Sequence, residues 1–337
     1  MIEHGTIFST ARVVAQYRGK YRVAAGDNEY WAEVTGKIIF MSDSPSDFPV
    51  VGDAVDIIEL DQDSAVIQSI RSRKNLLTRR AVGKSGIQPI AANVDTAFIV
   101  QAVDRDFNLN RFERYLTLVK SCDIKPVFIL NKTDLISKDE LDEKISLVNG
   151  RFKDVPLICT SISDKESVDK LTGFIISGQV HCFLGSSGVG KSSLINGLLG
   201  GELIATKEIS VSTKKGRHTT THRELFALKN GGMIIDNPGM REIGLTDSGS
   251  GIHDVFSEIE DLGSDCRFPD CTHEHEPGCS VLAAVESGEL PREKYDSYLK
   301  LKKEAAFFAM TEVEKRQRDK RFGKMVNSVM KVKKKLK

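Results

Sequence analysis

Hydrophobic and polar positions alternate in short runs over roughly the first 75 residues: VVAQY, KYRVAA, EYWAEV, DAVDIIEL and AVIQSI, separated by the turn-like GDNE, SDSPSDFP and DQDS. A period of two is that of strands with one buried face, and five short strands at this size predict a small barrel. From about residue 95 the pattern changes. TAFIVQAV (96–103), PVFILN (126–131), PLICTS (156–161), QVHCFLG (179–185) and GMIID (232–236) are compact apolar runs, and segments between them such as NRFERYLTLVKSC carry apolar residues at helical spacing. Buried strands alternating with helices predict a parallel α/β sheet, with ligands at the strand ends. Near the C-terminus, EKYDSYLKLKKEAAFFAMTEVEKRQRDKRFGKMV reads as helix running into a basic tail.

Composition narrows the class. With 337 residues, 40% hydrophobic and 28% charged, the chain has the makeup of a soluble protein of two or three domains. No run approaches the roughly 18 uncharged apolar residues of a membrane span, and MIEHGTIFSTARVVAQYRGK has no basic-then-apolar signal pattern, so a cytoplasmic protein without a membrane partner is expected. The net charge of +1 hides an uneven distribution: Glu312 to Lys337 holds eleven Lys or Arg against three acids. That tail is either a solvated end or a contact for a polyanion. RSRKNLLTRRAVGK, Arg71 to Lys84, has six basic residues and no acid, and is read as a solvated linker. The barrel is either structural or an OB-fold that binds nucleic acid.

GSSGVGKSS lies between an apolar strand and the helical run SSLINGLL. Gly185, Ser186, Ser187, Gly188, Val189, Gly190, Lys191, Ser192 and Ser193 have the spacing of a phosphate-binding loop in the context that motif requires. Glycines let backbone N–H groups turn in around a β-phosphate, Lys191 reaches the β and γ oxygens, and the Ser192 hydroxyl ligates Mg²⁺. Base choice falls to NKTD, Asn131, Lys132, Thr133 and Asp134, at the end of the strand PVFIL. A carboxylate at Asp134 can accept from N1–H and the 2-amino group of guanine, donors that adenine lacks, so GTP and GDP are the expected nucleotides. CTSIS, around Ser161, follows one strand later as a base-supporting loop.

Two switch-like boxes complete the set. In KKGRHTTTHRE, Thr220 is placed to close on Mg²⁺ and the γ-phosphate; in GMIIDNPG, Asp236 holds Mg²⁺ through water and the Gly239 N–H reaches the γ-phosphate. NKTD precedes the phosphate loop by 54 residues, the reverse of the usual GTPase order. Joining the ends of the α/β domain restores that order, so the arrangement is a circular permutation. Met240 stands where a water-orienting Gln is usual, which leaves His218 as the nearest catalytic candidate, its alternative being a histidine on a surface loop.

Six cysteines divide into the dispersed Cys122, Cys159 and Cys182 and the clustered Cys266, Cys271 and Cys279. With His273 the cluster offers three thiolates and an imidazole, a closed tetrahedral set for one structural Zn²⁺; His275 is a rival ligand.

The order NKTD, GSSGVGKSS, DNPG, preceded by a barrel-like N-terminus and followed by CRFPDCTHEHEPGC, resembles the ribosome small-subunit-dependent GTPase A family along essentially the whole chain. The resemblance implies an α/β fold class made of an N-terminal OB-fold β-barrel (1–75), a circularly permuted P-loop GTPase domain (76–245) and a C-terminal, mainly helical zinc-binding domain (246–337). It favours His273 over His275 as ligand, has a His at the place of His218, and departs at Asn237, where Ser or Thr is more usual. It further implies a monomeric GTP hydrolase that binds the 30S ribosomal subunit and its 16S rRNA as a checkpoint in late maturation. The rivals are a nucleotide-gated RNA-binding factor with little catalysis, which Met240 favours, and a permuted GTPase of the large subunit, which the barrel and the metal cluster disfavour.

Overall fold

The computed structural model describes residues 8–80, 86–104, 107–201, 223–237, 249–311, 313–314, 316–318 and 320. It divides into two compact units, Met1–Gly244 and Leu245–Lys337. The first begins with β1 (Ser9–Gln16), β2 (Tyr21–Ala25), β3 (Asn28–Val34), the short helix α1 (Gly36–Met41), β4 (Ala54–Glu59) and β5 (Ser64–Ile70). These are the five strands that the period-two pattern predicts. Their order is β1-β2-β3-β5-β4, and β1–β4 pairing closes the barrel in the topology of an OB-fold. Register shifts at Val13/Ala15 and Asp56/Ile57 give β1 and β4 the bends that closure needs. The inward residues Val13, Val23, Val55, Ile57 and Ile67 form its core.

The basic run after the barrel is not only a solvated linker. β6 (Leu76–Arg80) pairs with β7 (Ile87–Ala92) in an antiparallel hairpin. Ahead of it, the Arg73 guanidinium donates to both oxygens of the fully buried Asp53 and to the carbonyls of Ser46 and Phe48. A buried carboxylate requires a paired cation, so this arginine is a fastener of the barrel.

The remaining elements of this unit are β8 (Thr96–Ala102), α2 (Leu109–Lys120), β9 (Lys125–Asn131), α3 (Lys138–Arg151), β10 (Leu157–Thr160), α4 (Lys165–Thr172), β11 (Val180–Leu184), α5 (Lys191–Leu199), β12 (Arg223–Ala227) and β13 (Met233–Asp236). β10-β9-β8-β11-β13 run parallel, as the apolar runs predict. β12 departs from that expectation: it is antiparallel to β13, to which a turn at Lys229–Asn230 joins it. So short a connection permits only antiparallel pairing. β12 also pairs with β1, which makes barrel and α/β sheet one continuous sheet.

The second unit contains α6 (Gly249–Val255), α7 (Ser257–Ser264), α8 (Ser280–Ser287) and α9 (Arg292–Ala309) around buried Ile252, Phe256, Ile259, Val281, Tyr298 and Leu301. It is the helical C-terminal region that the sequence predicts. No described helix is long and apolar enough to cross a membrane.

Candidate functional site: a nucleotide cleft and a Cys₃His centre

Parallel strands deliver their ligand-binding residues at their C-terminal ends. β11 ends at Leu184 and the phosphate loop follows, with α5 starting at Lys191. Gly185 and Gly190 have φ of 149° and 96°, and a Cβ would strike the Val100 carbonyl at the first and the Asn131 amide at the second. Both positions therefore demand glycine. Val189 is anchored differently, with its side chain in the apolar core beside Phe183 and Leu194.

Asn131 is the hinge between the two halves of the motif set. Its amide donates to the Val189 carbonyl at 2.8 Å and accepts from Thr160 Oγ1 at 2.9 Å, and the residue is 2% exposed. The residue that ends β9 thus fixes a loop 58 positions later in the chain. Lys132 takes the left-handed conformation (φ 65°), which turns Thr133–Leu135 into one 3₁₀ turn. Thr133 Oγ1 donates to the Thr160 carbonyl, and Ser161 Oγ donates to Asp134 Oδ1, so the carboxylate's direction is set before any base arrives. Ser161 is itself held by Ser167, whose hydroxyl accepts from the Ser161 N–H at 2.9 Å.

At the phosphate end Lys191 Nζ donates to the carbonyls of Gly185 and Ser186 at 2.8 and 2.7 Å. Burial pushes this amine down to about 8, opposed by the Asp236 carboxylate. Burial in turn raises Asp236, with Lys191 pulling the other way. Among the described residues Asp236 Oδ1, though buried, has no hydrogen-bond partner, and neither have the two amide atoms of Asn237. A buried carboxylate oxygen left open beside the phosphate loop suits a hydrated cation. His218, Thr220 and Gly239 lie outside the described residues, as do Met240 and most of the basic tail.

Two residues at the site have roles that the motifs do not assign: Tyr115, which lies in no motif, and Thr160, which lies in CTSIS without a role of its own. Tyr115, buried on α2, hydrogen-bonds the Ser186 hydroxyl, and burial pushes its own hydroxyl up to about 12. Thr160 ties Asn131 to β10. Each acts across a distance in sequence that local spacing does not encode.

In the second unit Cys266, Cys271, His273 and Cys279 come together with their ligand atoms all within 4.8 Å of one another. Cys266 Sγ and Cys279 Sγ are each 3.5 Å from His273 Nδ1 and 3.8 Å from each other. A tetrahedron built on Zn–S of about 2.3 Å and Zn–N of about 2.0 Å has edges of about 3.8 Å between sulfurs and about 3.5 Å from sulfur to nitrogen. The Cys₃His donor set, and the three spacings among Cys266, Cys279 and His273, are compatible with zinc. His275 is not one of the four.

Fold and cleft together define a circularly permuted P-loop GTPase, with a closed barrel ahead of it and a helical Cys₃His region behind. A family model described as RsgA GTPase matches residues 70–246, and the chain belongs to that family of GTP-hydrolysing enzymes. It is 42% identical over 326 residues to small ribosomal subunit biogenesis GTPase RsgA 1 of Bacteroides thetaiotaomicron, covering 96% of this chain and 90% of that protein. It is also 42% identical to RsgA 2 of Vibrio parahaemolyticus, over 98% of this chain and 88% of the relative. Among solved structures it resembles YjeQ from Thermotoga maritima (TM-score 0.66, 27% identity, 89% of this chain and 99% of the other). YloQ, a circularly permuted GTPase, shares the fold at TM-score 0.62 and 24% identity, over 91% and 98% of the two chains.

Proposed function

We propose that this GTPase binds the 30S ribosomal subunit through its 16S rRNA and hydrolyses GTP as a checkpoint in late subunit maturation, acting as a cytoplasmic monomer. The observation that carries the nucleotide half is the Asn131–Val189 bond, which makes base reading and phosphate binding one rigid unit. The ribosomal half rests on similarity to relatives named for small-subunit biogenesis along almost their whole length. Residues 1–75 are the OB-fold domain, 76–245 the permuted GTPase domain and 246–337 the zinc-binding domain.

In this reading Asp134, aimed by Ser161, accepts from guanine N1–H and the 2-amino group, while Asn131, Lys132 and Thr133 shape the base pocket. The N–H groups from Gly185 to Ser193 cradle the phosphates. Lys191 leaves the carbonyls of Gly185 and Ser186 for the β and γ oxygens. Ser192 and Thr220 would hold the Mg²⁺ that accompanies GTP, with Asp236 supporting it through water, and that ion would supply charge neutralisation at the β and γ oxygens. The Gly239 N–H bonds the γ-phosphate. His218 positions the attacking water in place of a glutamine, because Met240 offers neither a donor nor a strong acceptor with which to do so. One zinc, held by Cys266, Cys271, His273 and Cys279, is structural, since four protein ligands leave it no open position.

The test is GTP turnover with 30S subunits, with 50S subunits and alone. Stimulation by 30S only is the expected result. Equal rates in all three would defeat the ribosomal reading and leave the GTPase standing.

A further inference from the structure

We propose that Glu276 is the positioning residue of the Cys₃His centre: its carboxylate binds no metal but gathers the ligand loop and so aims His273 Nδ1 at the sulfurs. The supporting geometry is unusually concentrated. Oε1 accepts from Thr272 N at 3.1 Å and Thr272 Oγ1 at 2.5 Å, and Oε2 accepts from Glu274 N and His275 N at 3.1 Å each. Oε2 also lies 3.8 Å from Cys271 Sγ. Every one of these donors belongs to residues 271–275, the turn that joins two of the four ligands.

The conformation of His273 explains why a carboxylate is needed there. Its φ is 64°, in the left-handed region that residues with a Cβ rarely adopt. A left-handed residue turns the successive N–H groups after it toward one concavity, and such a concavity calls for an anion. Glu276 is that anion. From the other side the Tyr295 hydroxyl donates to the His273 carbonyl at 2.7 Å and Lys303 pairs with Glu274 at 2.7 Å, so α9 braces the turn that Glu276 draws inward. Gly263 completes the setting: a Cβ there would lie 3.2 Å from the ring atoms Cε1 and Nε2 of His273, a tight contact that would press on the imidazole. Glu276 is not itself a ligand in this arrangement, because both oxygens are occupied by the loop and four other donors already gather within 4.8 Å of one another.

The inference rests on reading the cluster as a zinc site, and the two fail separately. Full-length wild type and variants are titrated with a zinc-competing chelator, and cobalt-substituted samples are examined by absorption spectroscopy. E276Q puts an NH₂ group against the Glu274 and His275 N–H groups in one amide orientation and against the Thr272 N–H in the other, and should release zinc about 10- to 100-fold more readily, the range usual for residues that orient metal ligands. T272V, which deletes one hydroxyl bond and leaves the carboxylate, should shift release in the same direction by about threefold. The cobalt spectrum of E276Q should lose the intensity of a regular tetrahedral site. Wild-type retention and a wild-type spectrum in E276Q would overturn the proposal. Loss in E276Q with T272V unchanged would overturn it too, because a carboxylate acting by charge alone has no need of its loop partners. Wild-type protein that takes up no zinc would instead sink the zinc reading.

Discussion

In the Met1–Gly244 unit the nucleotide residues stand at the ends of strands rooted in a continuous apolar core, with Phe98, Val100, Ile129, Phe183 and Leu194 packed together and Val189 of the phosphate loop among them. In the Leu245–Lys337 unit the four metal-ligand residues stand between short helices, and the turn from Cys271 to His275 is held by a glutamate rather than by strands. The first site is positioned by burial, which its own chain supplies. The second gathers a donor set compatible with zinc, and on the reading proposed above its order rests on that ion, because a segment of this size buries little apolar surface for each residue it orders.

The largest effect that could break this contrast is removal of the metal. Structural zinc contributes on the order of 10 kcal/mol to small modules, so chelation or Cys271→Ala should abolish the helical signal of α6 to α9 while GTP affinity stays near the wild-type value. Circular dichroism and nucleotide titration on the same sample check both halves. If GTP binding collapses along with the helices, the independence of the two units is wrong.

Next in size is nucleotide choice. Asp134→Asn should lower affinity for GTP by about 10- to 100-fold, the value of a hydrogen bond to a charged acceptor, and should raise affinity for xanthosine nucleotides, whose 2-oxo group needs a donor. Competition titrations with GTP, XTP and ATP read this directly, and unchanged preference would remove Asp134 from the base pocket. His218→Ala should slow turnover by about tenfold or more with binding intact; a wild-type rate would make His218 part of a loop and nothing else.

The smallest effect is one of pH. Burial holds Lys191 at about 8 in the free protein, whereas phosphate requires the ammonium form, so binding takes up a proton above that pH. Affinity for GTP should be flat below pH 8 and fall above it, approaching about tenfold per unit for one linked proton. A flat profile to pH 9.5 would show that the free amine is not depressed. His181, fully buried, accepts from the Ile176 N–H and bonds the Met233 carbonyl, and burial lowers its pKa. With the folded value below the unfolded one, stability should be lost as pH falls below about 6.5, at no more than about 1.4 kcal/mol per pH unit.

The same contrast explains what the sequence made legible. Strand period, glycine spacing and metal-ligand spacing are local, and they locate the barrel, the parallel strands, GSSGVGKSS, NKTD and the Cys₃His set. β12 escaped notice because RELFA is short and owes its place to pairing with β13 on one side and β1 on the other. The β6–β7 hairpin was hidden in a basic run, and only the buried Asp53 reveals that Arg73 is structural. α1 was hidden by chemistry of the opposite kind, since Ile39, Phe40 and Met41 are exposed and form no apolar stripe toward a core. Tyr115 and Glu276 carry no motif because their partners are fixed by the folded chain: Ser186 lies on another element, and the N–H groups around Glu276 converge only after His273 turns left-handed.

We propose that nucleotide chemistry belongs to the strand-built unit and a response to the ribosome to the unit that carries the Cys₃His set. GTP turnover of wild type and Cys271→Ala, each with and without 30S subunits, tests it most directly. The account predicts equal basal rates and stimulation in the wild type alone. Full stimulation of Cys271→Ala would contradict it.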